Sequence, residues 1–369
     1  MNIEKKIQLV KKTPTEEILT DTELINMFER TSRPKHYIGL EISGKIHLGT
    51  GLICMMKVKD FQEAGLNCNI LLADWHTWIN RKLGGDLDVI KDVAVGYFTE
   101  GLKSTLKAIG ADPNSVNFIL GSDLYHNNDQ YWQNLIEISK NITLNRIKRA
   151  TTIMGRKFGE DTDFAQLLYP PMQINDIFEL KADLVHSGLD QRKAHVLARE
   201  ITMKAHNQKV KPTVVHHSLI LGLQKPPVWP LPLNTDLKQL LSENKMSKSV
   251  QNTAVFIHDS PEIIEKKIMK GFCPEKSVEL NPILDWIKNI VFHDQTNSFT
   301  LHRPSKYGGE ISYYSYKELE NDYKNGLIHP LDLKKAISSY LIKILEPVRK
   351  HFASKTDLLD VFDKINITR

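Results

Sequence analysis

The sequence predicts an α/β chain: a doubly wound parallel sheet first, then a smaller α-helical domain. Three observations carry this. Over roughly the first 230 residues, short apolar runs alternate with amphipathic helical stretches, as in a parallel sheet covered on both faces. One run, residues 37–41, passes through a turn with Gly44, Gly49 and Gly51 straight into a helix. Four prolines among residues 226–232 then bar a helix, and after Asp259 the chain reads as mostly helical. The expected division is a Rossmann-like domain at 1–232, a loop and linker at 233–258, and a helical domain at 259–369.

Taken in order, residues 1–35 read as short helices. Thr15-Glu16-Glu17-Ile18 and Thr20-Asp21-Thr22-Glu23 each offer an N-cap and an acidic first turn. The first strand is expected at 35–41. The helix after Gly49 shows a stripe of Leu52, Ile53, Met56 and Phe61 and ends near Gly65. Residues 68–73 read as a buried parallel strand, with Asp74, Trp75 and His76 just past its end. Asp86 caps a long helix that stops at Gly110. Further strands are expected at 116–120, 182–186 and 213–217, with a polar helical stretch at 129–157 and a helix from Asp190. Gly44, Asp74, His76, Ser187, Gly188 and Gln191 therefore fall on the edge where such sheets bind ligands. Helices are expected at 261–270, 283–292, 316–323 and 331–345, and the tail has helical spacing at Leu358, Leu359, Val361 and Phe362.

The totals set limits. A net charge of +5 permits a nucleic-acid partner without demanding one. Cys54, Cys68 and Cys273 are an odd set with no C-x-x-C pair, which reads as reduced thiols in a cytoplasmic protein and not as a zinc site. No apolar run approaches the ~18 residues of a membrane span, and Met1-Asn2-Ile3-Glu4-Lys5-Lys6 is not a signal peptide.

The chemistry gathers at two places. A helix N-terminus after a Gly-rich turn presents free N–H groups to a phosphate, and His47 adds a donor there. Lys245-Met246-Ser247-Lys248-Ser249 sets two ammonium groups three residues apart. Together they describe a site for the polyphosphate of a nucleotide; the bland reading of Lys245 and Lys248 is a solvated charge pair. Tyr169, Gln173 and Asp176 sit at helical i, i+4 and i+7, hence on one face. Taken alone, Tyr169 would serve as a core aromatic and Asp176 as a cap or surface charge. Asp74 and His76 could line the pocket, and His76 could equally be structural. His216 and His217, adjacent in a strand, face opposite sides. Arg146, Lys148, Arg149, Arg156 and Lys157 make a basic helical stretch, either an RNA contact or a solvated face.

The pair of motifs, His47-Leu48-Gly49-Thr50 and Lys245-Met246-Ser247-Lys248-Ser249, resembles the HIGH and KMSKS signatures of class I aminoacyl-tRNA synthetases. The surrounding residues look like the archaeal-type tyrosyl-tRNA synthetases, from about residue 20 to about residue 350. The resemblance implies activation of tyrosine by ATP, with Mg²⁺ carried by ATP and no dedicated metal ligands, then transfer to tRNA-Tyr. It makes His47, Thr50, Lys245 and Lys248 catalytic, and Gly39, Glu41, Gly44, His47, Gly49 and Lys248 the ATP site. Thr50 departs from the pattern, where a second His is common; its hydroxyl can donate one hydrogen bond but carries no charge. Tyr37 and Asp176 would take the phenol hydroxyl of tyrosine, and Tyr169, Gln173 and Gln191 its α-ammonium. Arg192 and Lys193 would approach the acceptor stem, and Arg146 of the basic stretch is a further candidate for tRNA contact. Tyr307 would stack on an anticodon base that His329 and Asp332 also contact. A homodimer is implied, with residues 129–150 as the expected interface.

Two rivals follow from the same residues. A tryptophanyl-tRNA synthetase shares the fold but has no use for a phenol acceptor pair such as Tyr37 and Asp176. A small-molecule nucleotidylyltransferase would share the His-x-Gly turn but not KMSKS or the helical domain. A dehydrogenase fails because Cys54 stands where the third glycine of the dinucleotide fingerprint belongs. A tRNA-binding relative without activity is opposed by the intact His47, Lys245 and Lys248.

Overall fold

The computed structural model of the chain describes residues 1–155, 159, 162–202, 204, 210–232, 237–248, 251–294 and 298–364. Among these, β1 is Thr15–Leu19, β2 Lys35–Leu40, β3 Asn67–Leu72, β4 Val116–Leu120, β5 Leu184–Gly188 and β6 Thr213–His217. They form one sheet in the order β1-β6-β5-β2-β3-β4. Five strands run parallel, while β1 lies antiparallel on the edge beside β6. The chain moves outward from β2 through β3 to β4, then returns to β5 and β6 on the other side. The topological switch therefore falls between β2 and β5, and the crevice beyond their C-terminal ends is where a ligand fits.

Alternation along the strands sorts the core into two faces. Ile38, Ile70, Leu184 and Val215 pack into one apolar cluster. Their neighbours Tyr37, Leu71, Val185 and Val214 pack into the other. With both faces covered, apolar residues stand next to each other in these strands, as at Tyr37 and Ile38, Ile70 to Leu72, and Val214 and Val215, and that is why they read as short apolar runs. The first cluster continues through Ile257, Ile264 and Ile268 to Ile337, Leu341 and Phe352, so the C-terminal helices share its core.

Most elements match their expected spans. The strands at Val116–Leu120 and Thr213–His217 and the helix Pro261–Lys270 agree residue for residue. Asp86 Oδ1 accepts the Asp88 and Val89 amides at 3.0 and 3.1 Å and starts the long helix, which widens into a π turn at Ala94–Phe98 and ends at Ala108. One expectation fails. Thr15 caps no helix: its hydroxyl bonds Val10 O at 2.7 Å and opens β1. The Thr20–Glu23 capping box begins the next helix at Asp21, leaving too few residues before it for a helical nucleus, and pairing with β6 satisfies the backbone instead. The C-terminal region is mostly helical, as expected, and holds one short hairpin besides. β7 (Phe299–Leu301) pairs antiparallel with β8 (Ile311–Tyr313), strands too short to display a period of two.

Candidate active site

The turn after β2 is built around one imidazole. His47 Nδ1 accepts the amides of Gly49 at 3.0 Å and Thr50 at 3.4 Å, so the ring proton resides on Nε2. A Cβ on Gly49 would meet His47 Cε1 at 2.9 Å, so glycine is what admits the ring. Burial, then the charges of Lys248 and Lys245, hold His47 near a pKa of about 3. It is a neutral donor at pH 7, not a cation. Gly51 plays a different part from the one its place in the Gly-rich turn suggests. It is buried under Ile257, whose Cγ2 would lie 2.4 Å from a Cβ there, so it serves packing and not ligand approach. Gly44, at φ 117°, makes the turn itself.

The second motif closes the opposite wall. Leu221 pairs with Lys245 across a β bridge. The C-terminal helix segment pins Leu221 in turn: Asp285 Oδ2 accepts its amide and Trp286 Nε1 donates to its carbonyl, both at 2.8 Å. Lys245 Nζ lies 2.6 Å from Asp190 Oδ2. Lys248 Nζ donates to Ser43 Oγ at 2.9 Å and faces the Phe98 ring at 5.4 Å. Burial lowers Lys248 to about 8, against the opposing pull of Glu41. Ser249 lies outside the described residues.

Between these walls lies a cavity of about 940 Å³. Tyr37, Gly39, Glu41, His47, Gly49, Thr50, Tyr169, Gln173, Asp176, Gln191, Lys245 and Lys248 all line it, so the structure gathers residues spread over more than two hundred positions. Gly44 stands just outside, 3.9 Å from Lys248 Cδ by the position its Cβ would take.

The other end of the cavity is furnished by the helix Phe164–Glu179, which presents Tyr169, Gln173 and Asp176 on the expected face. Asp176 is fully buried; Tyr131 donates to its Oδ1 at 2.8 Å and Tyr125 to its Oδ2 at 3.3 Å. Burial raises Asp176 to about 8, with both tyrosines pulling the other way. Tyr37 is buried, and its hydroxyl lies 2.6 Å from where a Gly39 Cβ would be, so Gly39 makes room for it. Burial and then the Asp176 charge push the Tyr37 phenol well above its usual range, placing it in the field of that carboxylate.

Tyr169 donates its proton to Glu41 Oε1 at 2.8 Å, where Asn80 also donates at 2.8 Å. The Tyr169 oxygen keeps its lone pairs for a donor in the cavity. Gln173 Nε2 donates to Gln191 Oε1 at 3.3 Å, and Gln191 Nε2 to Ile153 O at 3.0 Å. Gln173 Oε1 is buried with no hydrogen-bond partner among the described residues. A buried acceptor left open in a cavity calls for a donor from a ligand.

The ambiguous histidines and aspartates separate. His76 lines the cavity, edge-on to Tyr169 with ring centroids 4.6 Å apart. Asp74 is structural: its Oδ1 accepts the amides of Trp75 and Ser122, both at 2.9 Å. His217 faces the cavity and meets His186 at 2.7 Å, whereas His216 turns to Glu17 at 2.8 Å and His195 at 3.0 Å. Tyr125 and Tyr131 on Asp176, Ser43 on Lys248 and Asp190 on Lys245 carry no sequence motif that marks them as partners of the site.

The candidate RNA contacts are dispersed. Arg146 pairs with Glu200, Arg192 Nε reaches both oxygens of Glu17 at 2.9 Å, and Lys193 donates to Thr152 at 3.0 Å. Tyr307 is 64% exposed. His329 caps the helix Pro330–Ile344, with Asp332 in its first turn. Arg303 ties the two loops together, donating to Gly309 O at 3.0 Å and to Leu327 O at 3.1 Å. Arg156 and Lys157 lie outside the described residues.

A neutral histidine at a strand–turn–helix, two lysines opposite it and a parallel sheet beneath define the nucleotide site of a class I aminoacyl-tRNA synthetase. The family described as tRNA synthetases class I (W and Y) matches residues 29–346, and the chain belongs to it. It is 50% identical to a tyrosine–tRNA ligase of Thermococcus sibiricus and 50% identical to one of Pyrococcus abyssi, each over 100% of both chains. The crystal structure of a tyrosyl-tRNA synthetase from Pyrococcus horikoshii, complexed with L-tyrosine, superposes with a TM-score of 0.95. That chain is 49% identical and covers 99% of this one and 100% of its own length.

Proposed function

We propose that this enzyme is a tyrosine–tRNA ligase: it activates L-tyrosine with ATP and transfers the tyrosyl group to the terminal adenosine of tRNA-Tyr. A tyrosine carboxylate oxygen attacks the α-phosphorus, the bond to the bridging oxygen breaks, and pyrophosphate leaves. A ribose hydroxyl of the tRNA then attacks the activated carbonyl, and AMP leaves. No side-chain nucleophile is needed; positioning and charge stabilisation carry the rate. His47 Nε2–H and the Gly49 turn serve the phosphates, and Lys245 and Lys248 follow the charge onto pyrophosphate. Thr50 adds a hydroxyl to the same wall.

The observation that carries the substrate is the polar layout of the cavity. An open acceptor, Gln173 Oε1, beside the Tyr169 and Gln191 oxygens suits an ammonium, and Asp176 with Tyr37 suits a phenol. Tryptophan brings an indole N–H, which donates but cannot accept, and so answers only half of that pair. Mg²⁺ would ride on the phosphates, because the cavity carboxylates have other partners: Asp190 holds Lys245, and Glu41 holds Tyr169.

Arg192 and Lys193 then serve the acceptor stem and Arg146 the tRNA backbone, with Tyr307, His329 and Asp332 reading the anticodon from the region 259–369. The exposure of the Tyr307 ring supports stacking. The working form is a homodimer joined through residues 129–150, where Ile136 and Leu144 expose apolar surface, 63% and 54%. Sedimentation as a monomer would remove that assignment. Among the described residues no helix is long and apolar enough to cross a membrane, and the three free thiols fit a cytoplasmic location.

Amino-acid-dependent ATP–pyrophosphate exchange without tRNA tests the reading. Exchange with tyrosine, and not with tryptophan or phenylalanine, is expected. Exchange with tryptophan would overturn the pocket assignment, and no exchange at all would overturn the activity.

A further inference from the structure

A second cavity, of about 1100 Å³, lies behind the KMSKS connector, and the activity above makes no use of it. Two segments without a role in that activity help to build it. The Pro-rich stretch contributes Lys225, and the tail helix Asp357–Lys364 contributes Phe362. Lys45, from the turn that carries His47, and Lys266 and Lys270, from the helix Pro261–Lys270, extend the cationic wall.

A fifth lysine is already engaged. Lys267 Nζ donates to Asp259 Oδ2 at 2.7 Å and to Ala254 O at 2.8 Å. The other four have no hydrogen bond or ion pair among the described residues; Lys45 only rests over the Phe362 ring at 5.9 Å. Five lysines against the single aspartate in this lining concentrate most of the chain's net charge of +5 in one concavity. His258 in the same wall registers the field: burial, then Lys45 and Lys267, hold it near a pKa of about 4. Lys266 and Lys270 stand at i and i+4 on one helix, a like-charge pair that opposes the helix it sits on. Clustered, unpaired cations that cost stability point to an anionic ligand.

We propose that this cavity binds the sugar–phosphate backbone of RNA, namely the tRNA substrate, and so rests on the activity proposed above. Lysine is a flexible point charge suited to phosphate and reads no base, so the contact positions without specifying. The free ammonium groups come from three separate segments around a space larger than the active-site cavity, an arrangement that a chain of phosphates answers and a single orthophosphate does not. Lys45 stands two residues before His47, so the cavity begins beside the site to which the tRNA end must come.

The test replaces Lys225, Lys266 and Lys270 together by alanine, with the corresponding triple arginine variant as charge-keeping control. Binding of tRNA-Tyr is measured by fluorescence over a salt series. The alanine variant is expected to bind at least about tenfold more weakly. Its slope of log K against log salt should be shallower by about 2 to 3, since each phosphate that a lysine no longer neutralises removes about 0.9. The arginine variant should keep the parent affinity and slope. Tyrosine-dependent pyrophosphate exchange without tRNA should be unchanged in both variants. Parent-like affinity and slope in the alanine variant would overturn the proposal. So would weakened binding of inorganic tripolyphosphate with tRNA binding intact. Absence of exchange in the parent would instead overturn the activity, and the binding series would still report on the cavity.

Discussion

Tyr131 donates its hydroxyl proton to Asp176 Oδ1 at 2.8 Å, and the carboxylate proposed to meet the substrate phenol is thereby held by a phenol of the protein. With Tyr125 on the other oxygen, the carboxylate cannot rotate freely, yet each oxygen keeps a lone pair for a further donor. Tyr131→Phe removes one donor from a buried carboxylate, at a cost of about 1–3 kcal/mol. Pyrophosphate-exchange kinetics should show KM for tyrosine rising about tenfold or more, with kcat changed less. Discrimination against phenylalanine should fall in the same variant, because Asp176 is less firmly aimed. An unchanged KM would reduce Tyr131 to packing.

Gln173 makes a narrower case. Its Oε1 has no partner among the described residues, and its Nε2 is fixed by Gln191, so the amide orientation is set before substrate arrives. A hydrogen bond to an ammonium is worth about 1.5–3 kcal/mol. Gln173→Ala should therefore raise KM for L-tyrosine by roughly 10- to 100-fold. The same change should barely affect inhibition by an analogue that lacks the α-amino group. Equal weakening of both ligands would move the ammonium site elsewhere.

Linear proximity decided which parts of the site could be read from the sequence. His47 and Gly49, Lys245 and Lys248, and the helical trio Tyr169, Gln173 and Asp176 each lie within eight residues of chain, so spacing alone places them on one turn or face. Their partners do not. Asp190 lies 55 residues from Lys245, Ser43 lies 205 from Lys248, and Tyr131 lies 45 from Asp176. No local period records a contact of that kind; only the sheet topology creates it. The same holds for β1, whose strand character comes from its pairing with β6 and not from its own residues, which offer a helix cap equally well. The glycines show the limit from the other side. Gly49 and Gly51 look alike in sequence, but one makes room for His47 and the other for Ile257.

That difference is measurable. In Gly51→Ala the new methyl would meet Ile257 Cγ2 at 2.4 Å and Ile46 Cγ2 at 3.2 Å, both buried in the main core. Overpacking of this order costs about 1–3 kcal/mol. Thermal or urea unfolding should show that loss, and adding Ile257→Leu, which removes the Cγ2 branch at near-constant volume, should restore part of it. KM for ATP should stay close to the parent value in the double variant. A variant of parent stability with impaired ATP binding would return Gly51 to the phosphate site.

The pH profile should separate the two ends of the cavity. In the free enzyme Asp176 stands near 8, raised by burial, so below that pH it holds a proton and competes with the phenol as donor. Its contribution to kcat/KM for tyrosine should therefore rise with pH up to about 8. Lys248, also near 8 but lowered by burial from the usual lysine value, holds its charge below that pH and loses it above. Its contribution to kcat/KM for ATP should fall as pH rises through about 8. Varying tyrosine at saturating ATP isolates the acid limb, and varying ATP at saturating tyrosine isolates the alkaline one. Asp176→Asn should flatten the first and leave the second. Lys248→Arg keeps its charge throughout and should flatten the second while leaving the first. If a single substitution removed both limbs, the two groups would be titrating as one unit, and phenol recognition would not be separable from phosphate binding in this cavity.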